Sequence, residues 1–204
     1  MRYVIMADGD MKRWHAQSHI PKHLLTVDGE TLLERLVRQI RTADGEAEVF
    51  ITSHNPAYEV PGAVRYEPQE NHLEIDRFTR ELICDDVCFL YGDTCYTDEA
   101  VAYIAGKKTD GLWFVGNERS IVAVIAHDGR LLKNHVDRAK DAFLDGRITD
   151  CRGWQVYQSY AGLPMGSPCI GPAFTRLHDG TCGFNTWQEY EEFLEKRGET
   201  CGRI

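Results

Sequence analysis

The sequence predicts an α/β protein: a three-layer sandwich with a mostly parallel central sheet. Three observations carry that expectation. Short, continuous apolar runs rich in β-formers alternate with amphipathic helical patterns through the first half of the chain. The runs are too uniformly apolar for strands with one wet face, so helices must cover both sides of the sheet. A length of 204 residues, 43% hydrophobic and 27% charged, suffices for one sizeable core and is short for two.

The first run, RYVIMA at residues 2–7, reads as a central strand. A polar loop follows it and carries Asp8, Asp10, Lys12, Arg13 and Lys22. Thr31 and Glu34 then have the spacing of a capping box, and Leu32, Leu33, Leu36, Val37 and Ile40 keep a helical period to about residue 43. Past the Asp44-Gly45 turn, strands are expected at residues 47–52 and 63–66. Residues 72–83 have helical spacing and lead into DVCFLYGD, residues 86–93, a second buried strand. A helix at residues 97–105 and a strand at 111–115 continue the rhythm.

The rhythm changes at residues 120–136, where two β-rich runs flank Asp128-Gly129, a dipeptide suited to hairpin turns. A β-hairpin and α+β decoration are therefore expected in the C-terminal half. GWQVYQSYAG, residues 153–162, fits strand or helix, and GLPMGSPCIGP after it is rich in turn residues. TWQEYEEFLEKRG, residues 186–198, restores a helix with a capping box at Thr186 and Glu189 and a terminal Gly198.

A net charge of -9 argues against a partner that is a nucleic-acid backbone. An anionic ligand must instead meet a local cluster of cations, a metal, or both. No apolar run is long enough to span a membrane, and the short one after Met1 continues into the first strand rather than forming a signal peptide. Seven cysteines, an odd number at irregular spacing, point to reduced thiols and a cytoplasmic setting. Cys84 and Cys88 stand four apart without a second zinc-ribbon pair, so packing thiols are expected.

In an open α/β sheet, ligands bind beyond the carboxyl ends of the strands. The loops after RYVIMA and after FLYGD both leave such ends, which places their polar residues at one cleft. A phosphate ligand there wants backbone donors and permanent cations, which Gly9, Arg13 and Lys22 supply. A nucleoside triphosphate also brings Mg²⁺, for which Asp93 is the best-placed carboxylate. Taken singly, Lys12, Arg13 and Lys22 fit solvated charges, Asp93 fits a turn or N-cap, and His15 and His19 fit surface histidines.

The combination is more specific. The chain resembles the nucleotidyltransferases of the sugar-nucleotide pyrophosphorylase type, whose fold is Rossmann-like and glycosyltransferase-A-like. Their signature loop A-A-G-x-G-T-R stands here as ADGDMKR, residues 7–13, and their P-K-x-L-L block stands as PKHLLTVDGETLLERL, residues 21–36. FLYGD resembles the strand whose final aspartate holds Mg²⁺, DGRLLKN the family's hairpin, and FNTWQEYEEFL its closing helix start. Met11 and Lys12 replace a glycine and a threonine of the loop, Asp8 replaces a small residue, and Gly183 replaces a carboxylate.

The resemblance implies one domain over residues 1–204, with a nucleotide-binding core at 1–116 and an acceptor-binding part and closing helix at 117–204. It implies Mg²⁺-dependent transfer of NMP from an NTP to a sugar 1-phosphate or phospho-alcohol, with release of pyrophosphate. Arg13 and Lys22 would be catalytic, and Ala7, Asp8, Gly9, Lys12, Arg13 and Gly92 would contact the nucleotide. Asp93 and Asn185 would hold Mg²⁺. Trp154, Tyr157, Tyr160 and the GLPMGSP loop could line the acceptor pocket, or else pack in the core. Two alternatives stay open. A glycosyltransferase of the same fold would want an Asp-x-Asp pair where Gly92-Asp93-Thr94-Cys95 stands, and a non-catalytic nucleotide-binding relative would accommodate Met11 and Lys12. The partners implied are a nucleoside triphosphate and a phosphorylated small molecule, with no nucleic acid and no membrane.

Overall fold

A computed structural model of the chain describes residues 1–9, 14, 20–117 and 119–198. Along the chain run β1 (Arg2–Met6), the two-residue strands β2 (Thr26–Val27) and β3 (Glu30–Thr31), α1 (Leu32–Ala43), β4 (Glu48–Thr52), β5 (Val64–Tyr66) and β6 (Val87–Tyr91). Then come β7 (Thr94–Cys95), α2 (Asp98–Gly106), β8 (Leu112–Gly116), β9 (Ile121–Ala126), α3 (Gly129–Leu144) and α4 (Gly153–Ala161). The last elements are β10 (Phe174–Arg176), β11 (Cys182–Gly183) and α5 (Trp187–Arg197).

Seven strands form the central sheet in the order β10-β8-β9-β6-β1-β4-β5. Four of its six pairings are parallel; β9 alone runs against both neighbours, β6 and β8. Successive side chains of each strand go to opposite faces. Tyr3, Ile5, Ile51 and Leu90 pack with Leu36 and Ile40 of α1 and Ile104 of α2. Val4, Met6, Phe89 and Phe114 pack with Leu132 and Val136 of α3 and Tyr157 of α4. Covering both faces is what makes the strands read as unbroken apolar runs, and the expected three-layer α/β architecture follows from it. Both capping boxes form, at Thr31 with Glu34 and at Thr186 with Glu189. Residues 153–161, which fitted strand or helix, are helical. No helix among the described residues is long and apolar enough to cross a membrane.

Two local expectations are corrected. The hairpin does not lie at Asp128-Gly129. Asp128 caps α3, its carboxylate accepting from the backbone N–H groups of Arg130 and Leu131 at 2.9 and 3.0 Å. The segment after it keeps a helical period, with Leu132, His135, Val136, Ala139 and Ala142 buried on one face. The hairpin is one strand earlier, between β8 and β9, where Asn117 Oδ1 accepts from Arg119 and Ser120 N–H. The same dipeptide does make a tight turn at Asp28-Gly29, with φ of 54° and 81°, joining β2 to β3. Gly129 instead faces Cys84: a Cβ there would stand 2.5 Å from the Cys84 carbonyl carbon and oxygen. Gly129→Ala should therefore lose about 2 kcal/mol despite alanine's higher helix propensity, through backbone displacement. Chemical denaturation reads this directly; an unchanged or raised midpoint would contradict the packing.

Residues 72–83 form two 3₁₀ turns, Glu74–Arg77 and Arg80–Leu82, in place of the expected helix. Asp76 is the cause: its carboxylate turns back to accept from His72 N–H (3.0 Å) and Leu73 N–H (2.8 Å), and takes Lys140 Nζ from α3 at 2.8 Å. Such local capping competes with helix propagation. Ile75, Phe78, Leu82 and Ile83 are nevertheless buried, so the apolar spacing served the core without a helix.

Burial alone would raise the Asp76 carboxyl, but the Lys140 ammonium and the two N–H donors outweigh it and hold it below the usual carboxylate range. A group depressed in the folded state stabilises above its unfolded pKa, about 3.9, and the stabilisation fades as pH falls through the folded value. Asp76→Asn should cost about 2 kcal/mol at neutral pH, and the gap to wild type should narrow below about pH 4. Stability curves that stay parallel into acid would disprove this.

Candidate active site

The chain passes from β1 to β4 and β5 on one side and returns to β6 on the other, so a crevice opens beyond the carboxyl ends of β1 and β6. Gly92 follows β6 and donates its N–H to the Met6 carbonyl at 3.0 Å. A Cβ at Gly92 would lie 3.0 Å from that oxygen and 3.2 Å from His23 Cδ2, so only glycine lets the two strand ends close up. Asp93 is thereby set beside the turn that carries Lys22. Pro21, at its ring-fixed φ of −58°, opens that 3₁₀ turn, Lys22–Leu24.

Lys22 Nζ donates to Asp93 Oδ2 in an ion pair whose side chains are only 12% and 19% exposed. Burial works to raise the Asp93 carboxyl; the adjacent Lys22 ammonium overcomes it, with Arg77 adding, and keeps the group ionised below the usual range. His23 lies buried beneath the pair, its Nδ1 3.1 Å from the Tyr58 hydroxyl. Burial pushes its imidazole down to about 3, more strongly than Asp93 lifts it. His23 is therefore neutral, and the positive charge over Asp93 belongs to Lys22 and Arg77.

The short strand β7 pairs antiparallel with β11, Thr94 opposite Gly183, and Phe184 N–H donates to the Asp93 carbonyl at 3.0 Å. This ribbon brings Asn185 from the far end of the chain to the cleft that Asp93 and Lys22 line. Phe184, Tyr190 and Leu194 anchor it on Leu25, Val27 and Leu32. The capped helix α5 thus holds one wall of the cleft against the segment that carries Lys22.

The cleft encloses about 220 Å³. Four cationic side chains line it, Lys22, Arg77, Arg119 and Arg152, against two carboxylates, Glu74 and Asp93. In a chain of net charge -9 this is a local reversal of sign, and it suits an anionic ligand. Arg77 ends the first 3₁₀ turn, Arg119 sits in the β8–β9 loop, and Arg152 caps the start of α4. Sequence reasoning missed all three. Each is a single cation in its own segment, and no spacing links them.

Of the residues singled out from sequence, the structure brings Lys22, Asp93, Asn185 and Trp154 to one cleft. Gly92 lies under Asp93, as described. Ala7 is buried and donates its N–H to the Thr52 carbonyl at 3.1 Å. Asp8 is not among the described lining of the cleft; it accepts from His54 N–H at 2.9 Å and Asn71 Nδ2 at 2.8 Å, and His54 Nδ1 lies 2.8 Å from it. Gly9 supports Arg77, since a Cβ there would stand 2.8 Å from a guanidinium nitrogen. Lys12 and Arg13 lie outside the described residues, as do Met11, His15 and His19. Tyr157 is fully buried, its hydroxyl accepting from Gly171 N–H, and Tyr160 packs against Phe114. Among the described residues no three His, Cys, Asp or Glu side chains converge to hold a metal by themselves.

The α/β fold is similar to that of solved structures of nucleotidyltransferases. No protein-family model matches the sequence, and no curated protein is similar to it in sequence. The solved structures similar to it over nearly their whole length include these three. CTP:phosphocholine cytidylyltransferase from Streptococcus pneumoniae is 12% identical with a TM-score of 0.59, covering 96% of this chain and 98% of its own. A Bacillus anthracis protein assigned as a glucose-1-phosphate thymidylyltransferase is 12% identical with a TM-score of 0.64, covering 99% and 97%. The inositol-1-phosphate CTP transferase from T. maritima is 10% identical with a TM-score of 0.55, covering 98% and 98%.

Proposed function

We propose that the protein is a Mg²⁺-dependent nucleotidyltransferase that moves NMP from an NTP to a phosphorylated small-molecule acceptor and releases pyrophosphate. The observation that carries this reading is the shielded Lys22–Asp93 pair at the β1–β6 crevice, facing Asn185 across a cleft of reversed charge. In the proposed reaction an acceptor phosphate oxygen attacks the α-phosphorus, the bond to the bridging oxygen of the β-phosphate breaks, and pyrophosphate leaves. Little covalent chemistry falls to the protein; it must position two repelling anions and stabilise the charge that builds between them.

Lys22 meets that need. Its ammonium shifts from Asp93 toward the α-phosphate as charge accumulates there. Asp93 Oδ2 takes Lys22, while Oδ1 has no protein donor among the described residues. An ionised carboxylate with a free oxygen and the Asn185 amide oxygen are hard donors that fit Mg²⁺, which is commonly held by one or two carboxylates with phosphates completing its shell. When bound, Mg²⁺ neutralises the triphosphate. Arg13 would hold the β- and γ-phosphates, with Lys12 and the backbone of Ala7, Gly9 and Gly92 framing the nucleotide. Asp8 would meet the nucleotide with its carboxylate already engaged by His54 and Asn71. Residues 1–116 would thus serve the nucleotide and 117–204 the acceptor.

The glycosyltransferase alternative wants a second carboxylate at the strand end. Thr94 and Cys95 stand there instead, paired with Gly183 and Cys182. Pyrophosphate release is therefore measured with four NTPs and Mg²⁺ against a panel of sugar 1-phosphates and phospho-alcohols. Release with one pairing supports nucleotidyl transfer. Glycosyl transfer from a nucleotide sugar without pyrophosphate would select the alternative, and NTP-induced thermal stabilisation with no product would select a binding protein.

A further inference from the structure

Each carboxylate in the described lining of the cleft has a cationic partner. Asp93 is paired with Lys22, and Glu74 lies 3.6 Å from Arg77. Arg119 has no carboxylate partner among the described residues. Arg152 lines the cleft and pairs at 2.7 Å with Asp150, which does not line it. Apart from Lys22 the described lining carries three guanidinium groups, Arg77 paired with Glu74 inside the cleft, and Arg119 and Arg152 with no acid partner within that lining.

An acceptor bearing an ammonium group would need either a carboxylate or an aromatic cage. Among the described lining residues the one carboxylate outside the Lys22–Asp93 pair, Glu74, faces Arg77 at 3.6 Å, and the rings do not form a cage. Trp154 reaches it, but Phe174 stacks on the indole at 5.7 Å and 10°, and Tyr157 meets it edge-on at 6.0 Å. Phe184 is 1% exposed, and the Tyr91 hydroxyl is so close to Gly153 that a Cβ there would come within 2.6 Å of it. These rings form a wall rather than a box. Such a wall, with the Ser120 hydroxyl beside it, fits the C–H edge and hydroxyl groups of a sugar.

We infer that Arg119 and Arg152 are the acceptor-selecting residues of this cleft, and that they specify a sugar phosphate, whose charge is wholly negative, over a phosphorylated alcohol carrying an ammonium group. The inference rests on the nucleotidyl-transfer reading and chooses between the two acceptor classes which that reading admits. Guanidinium groups bind phosphate through paired N–H donors, and like-charge contact excludes the competitor. Selection is thus both attractive and repulsive.

Binding and turnover are measured separately on the full chain. Calorimetry with Mg²⁺ compares glucose 1-phosphate with phosphocholine as probes, for wild type, Arg119→Gln, Arg152→Gln and Arg119→Lys; thermal melts confirm that each variant is folded. Glucose 1-phosphate should bind at least roughly tenfold tighter than phosphocholine, and each glutamine variant should weaken it by roughly tenfold, the scale of one charged hydrogen bond. Arg119→Lys should restore part of the loss, and in turnover assays the glutamine variants should raise the acceptor KM while leaving the NTP KM unchanged. Equal or tighter phosphocholine binding, no binding of either probe, or glutamine variants indistinguishable from wild type would overturn the inference. Pyrophosphate release with phosphocholine as the preferred acceptor overturns it while the nucleotidyl-transfer reading survives. Absence of pyrophosphate with every NTP and acceptor overturns that reading instead, whichever probe binds.

Discussion

Asp93→Asn should lower pyrophosphate release by about 10²- to 10³-fold, the scale expected when one preorganised electrostatic group is lost. The substitution keeps the side chain's shape but removes its charge. Two interactions go with that charge: the ion pair that locates Lys22, and the anionic oxygen that the proposed Mg²⁺ would need. Raising Mg²⁺ should recover little of the loss, because the amide is a weaker donor at every concentration. A variant whose release and Mg²⁺ dependence matched wild type would remove Asp93 from the site.

Lys22→Ala should cost about 10²-fold in the same assay, and it permits a test that separates catalysis from folding. Removing either partner leaves the other charge largely shielded from water, so each single variant should lose about 2 kcal/mol, below the range for fully buried pairs because both groups keep some exposure. The double variant Lys22→Ala, Asp93→Ala should be less destabilised than the sum of the singles, since no orphaned charge remains. Its pyrophosphate release should stay as low as that of the worse single variant. Restored activity in the double variant would mean that the pair matters only for stability, and full activity in both single variants would refute the assignment.

Most of the sheet was legible because its residues report their own environment. A strand covered on both faces, such as Arg2–Met6 or Val87–Tyr91, must be apolar at every position, and a capping box such as Thr31 with Glu34 is a short-range hydrogen-bond pattern. The errors fell where one local signal supports two structures. Asp-Gly at 28–29 turns a hairpin and Asp-Gly at 128–129 starts a helix, and what differs is whether the following residues alternate or keep a 3.6 period. At residues 72–83 the apolar spacing was genuine, but Asp76 found donors within its own turn and a lysine on α3.

Within the cleft, Lys22 and Asp93 could be singled out from sequence because Lys22 lies in the PKHLL block and Asp93 follows the apolar run of β6. Their pairing, and its shielding from water, are tertiary facts set by the close approach at Gly92. Arg77, Arg119 and Arg152 could not be found from sequence at all. They come from a 3₁₀ turn, a hairpin loop and a helix start that meet only when the sheet order is assembled. Sequence alone determined the alternation of strands and helices and the segments that end at the crevice, because burial and capping act over a few residues. The sign of the charge inside the cleft was decided by the tertiary structure, because an electrostatic potential sums over distances in space, which the sequence does not contain.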